Sequence, residues 1–444
     1  MRAITKVIIA GIVLALLGGT NAVAQERVEQ ERVEQERVFP RTGIHGKDLL
    51  DRLTLSGYGT VNYQNYLTKE RDPYLKDRLD QERFALYLKL RFTDRIRMSS
   101  EIEFEHGGTG ATMEFDALEE AGEYEMEIEQ GGEVKLEHLY LDFLTHEMAN
   151  LRVGRFKLHM GLASSLDRPN KYFTVLRPEG EDAMIPLGWY ETGVMLFGGF
   201  FHNRLTYELA VSSGLDSSGF SSRNWVKRGY QTRFEMPVAE ALAYSLRMDY
   251  HFGRLGESFV GFSAYAGNTN PNRPRYDMEN VKGWLKVAGA HLAVNEGNWR
   301  FHSSLLWGDL QNSDNISFKN AHLSKHLNAK RTAVGKQALS VSAELGYNVL
   351  PLINRETKQR LYPFVRYDYY DTMFRTSGDV IKLDMWSRSV ITAGLNWMIT
   401  PGLVAKAQYT DRTYGDNYVD PVSKQDMGRK TKERELLVGL GFSF

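Results

Sequence analysis

The final twelve residues, Glu433 to Phe444, alternate strictly between two faces. Leu436, Val438, Leu440, Phe442 and Phe444 share one face, and Glu435, Leu437, Gly439, Gly441 and Ser443 share the other. A strand that is apolar on one side and, Leu437 apart, small or polar on the other suits a wall between lipid and a watery lumen. A soluble edge strand has the same period, so the rest of the chain must decide between the two.

At the other end, Arg2 and Lys6 precede the apolar run Val7 to Leu17, and Ala22-Val23-Ala24 supplies a small-residue cleavage site before Gln25. Residues 1–24 therefore read as a removed signal peptide. The run is shorter than the ~20 residues of a spanning helix, and no later segment offers one. The chain holds no cysteine, which excludes disulfides and thiolate metal sites.

Charge is balanced, with 55 Lys and Arg against 56 Asp and Glu, so nothing points to nucleic acid as a partner. The mean hydropathy of −0.41 is too polar for a helical membrane protein. Both this value and the aromatic content, 23 Tyr and 22 Phe, suit a barrel. Its strands need an apolar residue only at alternate positions, and its rims collect aromatic rings.

Between the leader and the strands, residues 25–38 repeat Gln-Glu-Arg-Val three times, separated by Glu29 and Glu34. A period of five turns a helix by about 500°, so the valines form no stripe and no heptad seam. The composition reads as a frayed helix or a solvated periplasmic linker within residues 25–50, and Pro40 marks its boundary.

From Leu53 onward, sixteen segments of strand character are joined alternately by short and long connectors, and residues 51–444 read as the barrel. Leu53 to Tyr66 opens the series. Arg83 to Phe92 and Ile96 to His106 form a hairpin about Thr93-Asp94. Further short connectors fall at Thr145 to Ala149, His202-Asn203, Pro237 to Glu240, Asn295 to Gly297, Pro351 to Gln359 and Thr400 to Gly402, on the expected periplasmic side. The long ones, at 67–81, 107–132, 160–188, 214–227, 253–280, 310–337, 372–385 and 413–431, would be external loops. Phe259 to Tyr265 reads as a loop hairpin inside the fifth, because a further strand would make the number odd. An open sheet edge in hydrocarbon leaves backbone groups unpaired at several kcal/mol each, so the sheet must close. A closed barrel of about 16 strands encloses an aqueous channel.

The faces turned to that lumen are rich in charge: Arg97, Glu101, Glu103, Glu105, Glu208, Arg233, Glu235, Arg247, Asp249, His251, Arg300, His302, Glu344, Arg366, Asp368, Arg388, Lys406 and Arg412. Two roles compete for them. Cross-strand pairing solvates a wall, whereas unpaired bases set ion preference in a pore. The segment Leu151 to Ala163 puts Arg155, Lys157 and His159 on one face just before the long loop Met160 to Gly188.

Together with Gly131 to Phe143 and the terminal strand, that segment resembles the phosphate-selective porin O/P family, over about residues 50–444. The resemblance implies a 16-stranded trimeric porin whose third external loop enters the barrel and narrows it. Here that loop carries Asp167, Arg168, Lys171, Tyr172, Phe173, Arg177, Glu179, Glu181 and Asp182, four acids against three bases, where phosphate-specific members have a basic constriction. The residues expected to line the pore and set its selectivity are Arg155, Lys157, Arg168, Lys171, Arg233, Arg247, Arg366, Arg388 and Lys406.

Loop 107–132 carries Glu114, Asp116, Glu119, Glu120, Glu123, Glu125, Glu127 and Glu129 without a basic residue. Their alternation with Tyr124, Met126 and Ile128 reads as a strand extension and lacks the turn residues of a calcium loop. Lys319, Lys325, Lys330, Arg331 and Lys336 would let the sixth loop steer anions or meet lipopolysaccharide phosphates. The eleven histidines show no zinc spacing, and no Gly-x-Ser-x-Gly elbow is present. No metal, cofactor or catalytic residue is assigned. The expectation is a general or weakly anion-preferring outer-membrane porin for small hydrophilic solutes and inorganic ions. A receptor or adhesin acting through its loops is the alternative, and a barrel enzyme a weaker one.

Overall fold

The computed structural model describes residues 50–68, 76–116, 125–231, 237–253, 256–323, 332–415 and 432–444. The leader at 1–24 and the repeat at 25–38 lie outside them. The chain divides into two units, Met1–Leu53 and Thr54–Phe444, and the second forms the sheet.

Strands need alternating faces, and the chain supplies them. They are β1 (Leu53–Tyr66), the short β2 (Arg78–Asp80), β3 (Arg83–Arg91), β4 (Ile96–Asp116), β5 (Glu125–His146), β6 (Ala149–Lys157), β7 (Tyr190–Phe200), β8 (Leu205–Ser212) and β9 (Ala243–Phe252). There follow β10 (Ser258–Asn268), β11 (Trp284–Glu296), β12 (Trp299–Leu310), β13 (Gln337–Tyr347), β14 (Arg360–Arg375), β15 (Ser387–Thr400), β16 (Leu403–Tyr414) and β17 (Lys432–Ser443). Leaving aside β2, which has three residues and pairs with β1, sixteen strands form one antiparallel barrel.

The barrel closes where β1 meets β17, in register from Tyr58 opposite Ser443 to Tyr66 opposite Glu435. Gly57 and Phe444 extend this ladder by exchanging two backbone hydrogen bonds of 3.0 Å. A Cβ on Gly57 would lie 2.6 Å from the Ala85 carbonyl oxygen and 2.8 Å from the Phe444 ring, so glycine here allows the close approach of β3 and of that ring.

The terminal strand faces as its alternation requires. Leu436, Val438 and Leu440 are 46, 48 and 52% exposed, whereas Glu435 and Leu437 are 3 and 2%. On β13, Ser340, Ser342 and Glu344 are buried in the interior while Val341 and Leu345 are exposed outside. Exposed apolar residues such as Val260, Leu305, Val365 and Ile391 continue this outer surface around other strands. The molecule is therefore a transmembrane β-barrel with an apolar exterior and a polar wall inside. Among the described residues, no helix is long and apolar enough to cross a membrane.

Short connectors gather at one end and long ones at the other. Two expectations are corrected, and they compensate. Phe259 to Tyr265 is not a loop hairpin: it lies in β10, which pairs with both β9 and β11. Conversely, no strand among the described residues stands between β8 and β9, because these two pair directly from Leu205 opposite Tyr250 to Ser212 opposite Ala243. Lys227–Gly229 is a 3₁₀ turn, and Arg233 and Glu235 lie outside the described residues. Pro237 to Glu240 thus belongs to a long connector, and the short turn falls at 253–257. Counting strands by even number could not separate these arrangements, since both total sixteen. The acidic second loop is largely strand, as β4 and β5 pair out to Asp116 opposite Glu125. The sixth loop contains a helix, Ser313–Asn320, and its Lys325, Lys330 and Arg331 lie outside the described residues.

Candidate functional site

The loop between β6 and β7 turns into the barrel instead of away from it. Tyr172, Phe173, Val175, Met184 and Ile185 are almost wholly buried. Its anchors come from the inner wall. Lys406 Nζ donates to the carbonyls of Tyr172 and Thr174 at 3.0 and 2.7 Å, and Asn396 Nδ2 to that of Phe173 at 3.1 Å. Gln408 accepts from the Val175 amide at 2.6 Å, and Arg412 Nη2 donates to Glu179 at 2.8 Å. Near the short-turn end, Asn170 Nδ2 donates to Pro401 O at 3.1 Å, so the loop reaches deep into the lumen.

Small residues on the wall make room for it. A Cβ on Gly439 would come 2.9 Å from Val175, one on Gly346 2.5 Å from Phe173, and one on Gly441 would collide with Pro169. Glu181, 4% exposed, ties the loop both to itself and to the wall, accepting from the amides of Leu162 and Ala163 at 3.0 and 2.7 Å and from the Ser304 hydroxyl of β12.

A second filling lies above β8 to β13. There Trp189, Leu215, Phe220, Trp225 and Ile316, from several long connectors, pack with Ala210, Ala243, Tyr265, Leu285, Val287 and Leu306 of the strands. This apolar cluster inside a polar wall was not visible in the alternation. Ala210 and Ala243 on the inner face were the available signal.

Two cavities lie against the side formed by β3 to β9. One, about 670 Å³, opens at the short-turn end between Thr145, Glu147, Asn150, Tyr207, Glu208 and Asp249. The other, about 400 Å³, lies toward the long-loop end between Glu105, Lys135, Lys157, Arg177, Tyr190 and Lys227. Lys157 lines the second, and His159, two residues on, pairs at 2.9 Å with Glu208 of the first. The segment Lys157 to His159 therefore runs from the lining of one to a partner in the lining of the other.

The bases named from the sequence mostly have partners. Lys157 bonds Asp167 at 2.5 Å. Burial raises the Asp167 carboxyl, but Lys157 and Arg83 outweigh it and hold Asp167 below the usual carboxylate range. Arg155 Nε donates at 2.7 Å to the carbonyl of Glu137. Arg247 bonds Asp249 at 2.7 Å and the Gly161 carbonyl at 2.8 Å. Arg366 is bidentate to Asp368, at 2.7 and 2.6 Å, and Glu344 joins it and His302. Arg388 lies over Tyr414, 4.8 Å from its centroid. Arg168 and Lys171 are exposed, the former 5.8 Å from the Tyr87 centroid. Most of these residues are therefore wall pairs or loop anchors, and Arg233 is outside the described residues.

One cluster was missed. Leu136 and Leu139 both face outward although three apart, and the ladder shifts between Glu101 and Ile102. Such a bulge turns Glu137 and His138 inward together. His138 then bridges Glu101 and Ser99, at 3.0 Å each, and Tyr190 donates to Glu101 at 2.9 Å. The broken alternation at 136–139 was the signal. Among the described residues, no group of His, Asp and Glu is arranged to hold a metal ion.

The fold thus defines the class: a closed transmembrane barrel of sixteen long strands with a loop folded into its lumen. No family model matches the chain. It is 25% identical over 368 residues to an uncharacterized protein of Aquifex aeolicus (strain VF5), covering 82% of this chain and 76% of that one. The barrel is similar to OmpF of Salmonella typhi, solved in complex with daunomycin, with a TM-score of 0.50 at 12% identity over 91% of this chain and 100% of that one. It also resembles the anion-selective porin from Comamonas acidovorans, with a TM-score of 0.48 at 11% identity over 88% and 99%. The outer membrane channel DcaP of Acinetobacter baumannii gives 0.48 and 11% over 88% and 97%. At these identities the likeness is one of fold.

Proposed function

We propose that this protein is a porin of the bacterial outer membrane, through which small hydrophilic solutes and inorganic ions diffuse down their gradients. The observation that carries the reading is a closed barrel with a loop folded into its lumen and two charge-lined cavities, one toward each end. The loop 160–188 acts as the constriction element. Export through the periplasm, with the leader at 1–24 removed, would put the short turns in the periplasm and the long loops outside.

Selectivity in such a pore follows fixed charge near its narrowest part. Lys157 is matched there by Asp167, and His159 by Glu208, which supports weak selectivity over a strong phosphate preference. Arg155, Arg168 and Lys171 carry whatever anion preference exists. Membership of the phosphate-selective porin O/P family and a homotrimeric assembly are part of this proposal. Both rest on the resemblance of residues 131–163 and of the terminal strand. Outer-membrane lipid surrounds the apolar face.

The test is reconstitution in planar bilayers, with single-channel conductance and reversal potential measured in a salt gradient, with and without phosphate. Ohmic conductance with a small reversal potential is expected. Absence of any conductance would reject the channel in favour of a receptor acting through its loops.

A further inference from the structure

The cavity of about 400 Å³ is rich in charge, and nearly all of that charge is internally matched. Around it Arg83 pairs with Glu103 at 3.5 Å, Lys157 with Asp167 at 2.5 Å, Lys227 with Asp182 at 2.9 Å, and Arg155 with Glu137 at 3.9 Å. Lys135 pairs with Glu133, and His106 with Asp80 at 2.8 Å. Two lining residues, Arg177 and Glu105, make no direct hydrogen bond or ion pair with a described residue, although Lys135 attracts Glu105, and Glu103 and Asp182 attract Arg177, from farther away.

A third unmet group stands beside them. Arg83 is 2% exposed, yet its Nε has no acceptor. Arg83 and Arg177 are close enough to repel one another, and Glu105 likewise acts on Glu103. A buried donor without a partner costs about 1–3 kcal/mol unless something fills its place. The cavity lining therefore offers two guanidinium groups that lie near one another, Arg83 and Arg177, and a carboxylate without a direct partner, Glu105. Its size suits a small ligand.

From this geometry we infer that the cavity is a docking subsite for solutes carrying both a carboxylate and an ammonium group, such as free amino acids or short peptides. The carboxylate meets Arg177 and Arg83, and the ammonium meets Glu105. A simple anion would engage the guanidinium groups and leave Glu105 without a hydrogen-bonded partner. An amphoteric solute satisfies both, so it is retained where it enters the lumen. The assignment rests on the porin reading for its physiological meaning, and the subsite can be measured without it.

Calorimetric titration of the purified barrel with L-alanine, propionate and ethylamine tests the subsite. L-Alanine is expected to bind best. Glu105→Gln should weaken L-alanine by about tenfold, the scale of one charge-assisted bond, and leave propionate unchanged. Arg177→Gln should weaken both. Neither side chain makes a hydrogen bond to a described residue, so both variants should keep the far-ultraviolet circular dichroism of the parent. Propionate binding as tightly as L-alanine, or L-alanine indifferent to Glu105→Gln, would overturn the proposal. Conductance of the unaltered protein is recorded separately: its absence would remove the porin reading while the titration still decides the subsite.

Discussion

The ammonium of Lys406 lies 3.7 Å from the centre of the Tyr172 ring and donates to the Tyr172 carbonyl at 3.0 Å. A base that alternation places on the lumen wall is thus used to hold the loop that fills the lumen, and only 6% of it is exposed. Lys406→Met keeps the length and removes the donor. It leaves the carbonyls of Tyr172 and Thr174 without this partner, at about 1–3 kcal/mol. Lower thermal stability, read by heat-modifiable gel mobility, is expected together with noisier single-channel current. Unchanged stability and current would show that the anchor is dispensable.

Gly441 permits the same docking by a different means. A side chain there would meet Pro169, so Gly441→Val should displace the loop while the β1–β17 ladder still closes. Limited proteolysis should then cut within 160–188 in the variant and spare the parent. Equal resistance in both would refute the steric account.

Acidification should release the loop at Asp167. An acid held below its unfolded value of about 4 contributes stability that is fully present above that value and is lost as pH falls through the folded pKa. The stability difference between the parent and Asp167→Asn should therefore be constant from pH 7 to about pH 5 and shrink below about pH 4. A difference that grew on acidification would contradict the sign.

The outer face can be tested at Val438, which is 48% exposed in β17. An arginine on the lipid side costs about 2–4 kcal/mol near the midplane and less near the interfaces. Val438→Arg should slow or block folding into lipid vesicles, while Leu437→Ala should not, because Leu437 faces inward. Efficient insertion of Val438→Arg would place this surface outside the hydrocarbon.

Alternation alone determined the barrel, because a strand between lipid and water must change polarity at every residue, and that pattern is local. It placed Leu53 to Tyr66 and the apolar face of Glu433 to Phe444 as found. It misassigned Phe259 to Tyr265, since pairing partners depend on registers far away in the chain. It also named Lys406, Arg366 and Arg247 as lumen bases without revealing that the loop, Asp368 and Asp249 already occupy them. Which charges are matched is a matter of distances between strands and loop, and only the tertiary structure decided it. By that means Arg177 and Glu105, ordinary charged residues in the sequence, become the two cavity-lining charges without a hydrogen-bonded partner among the described residues.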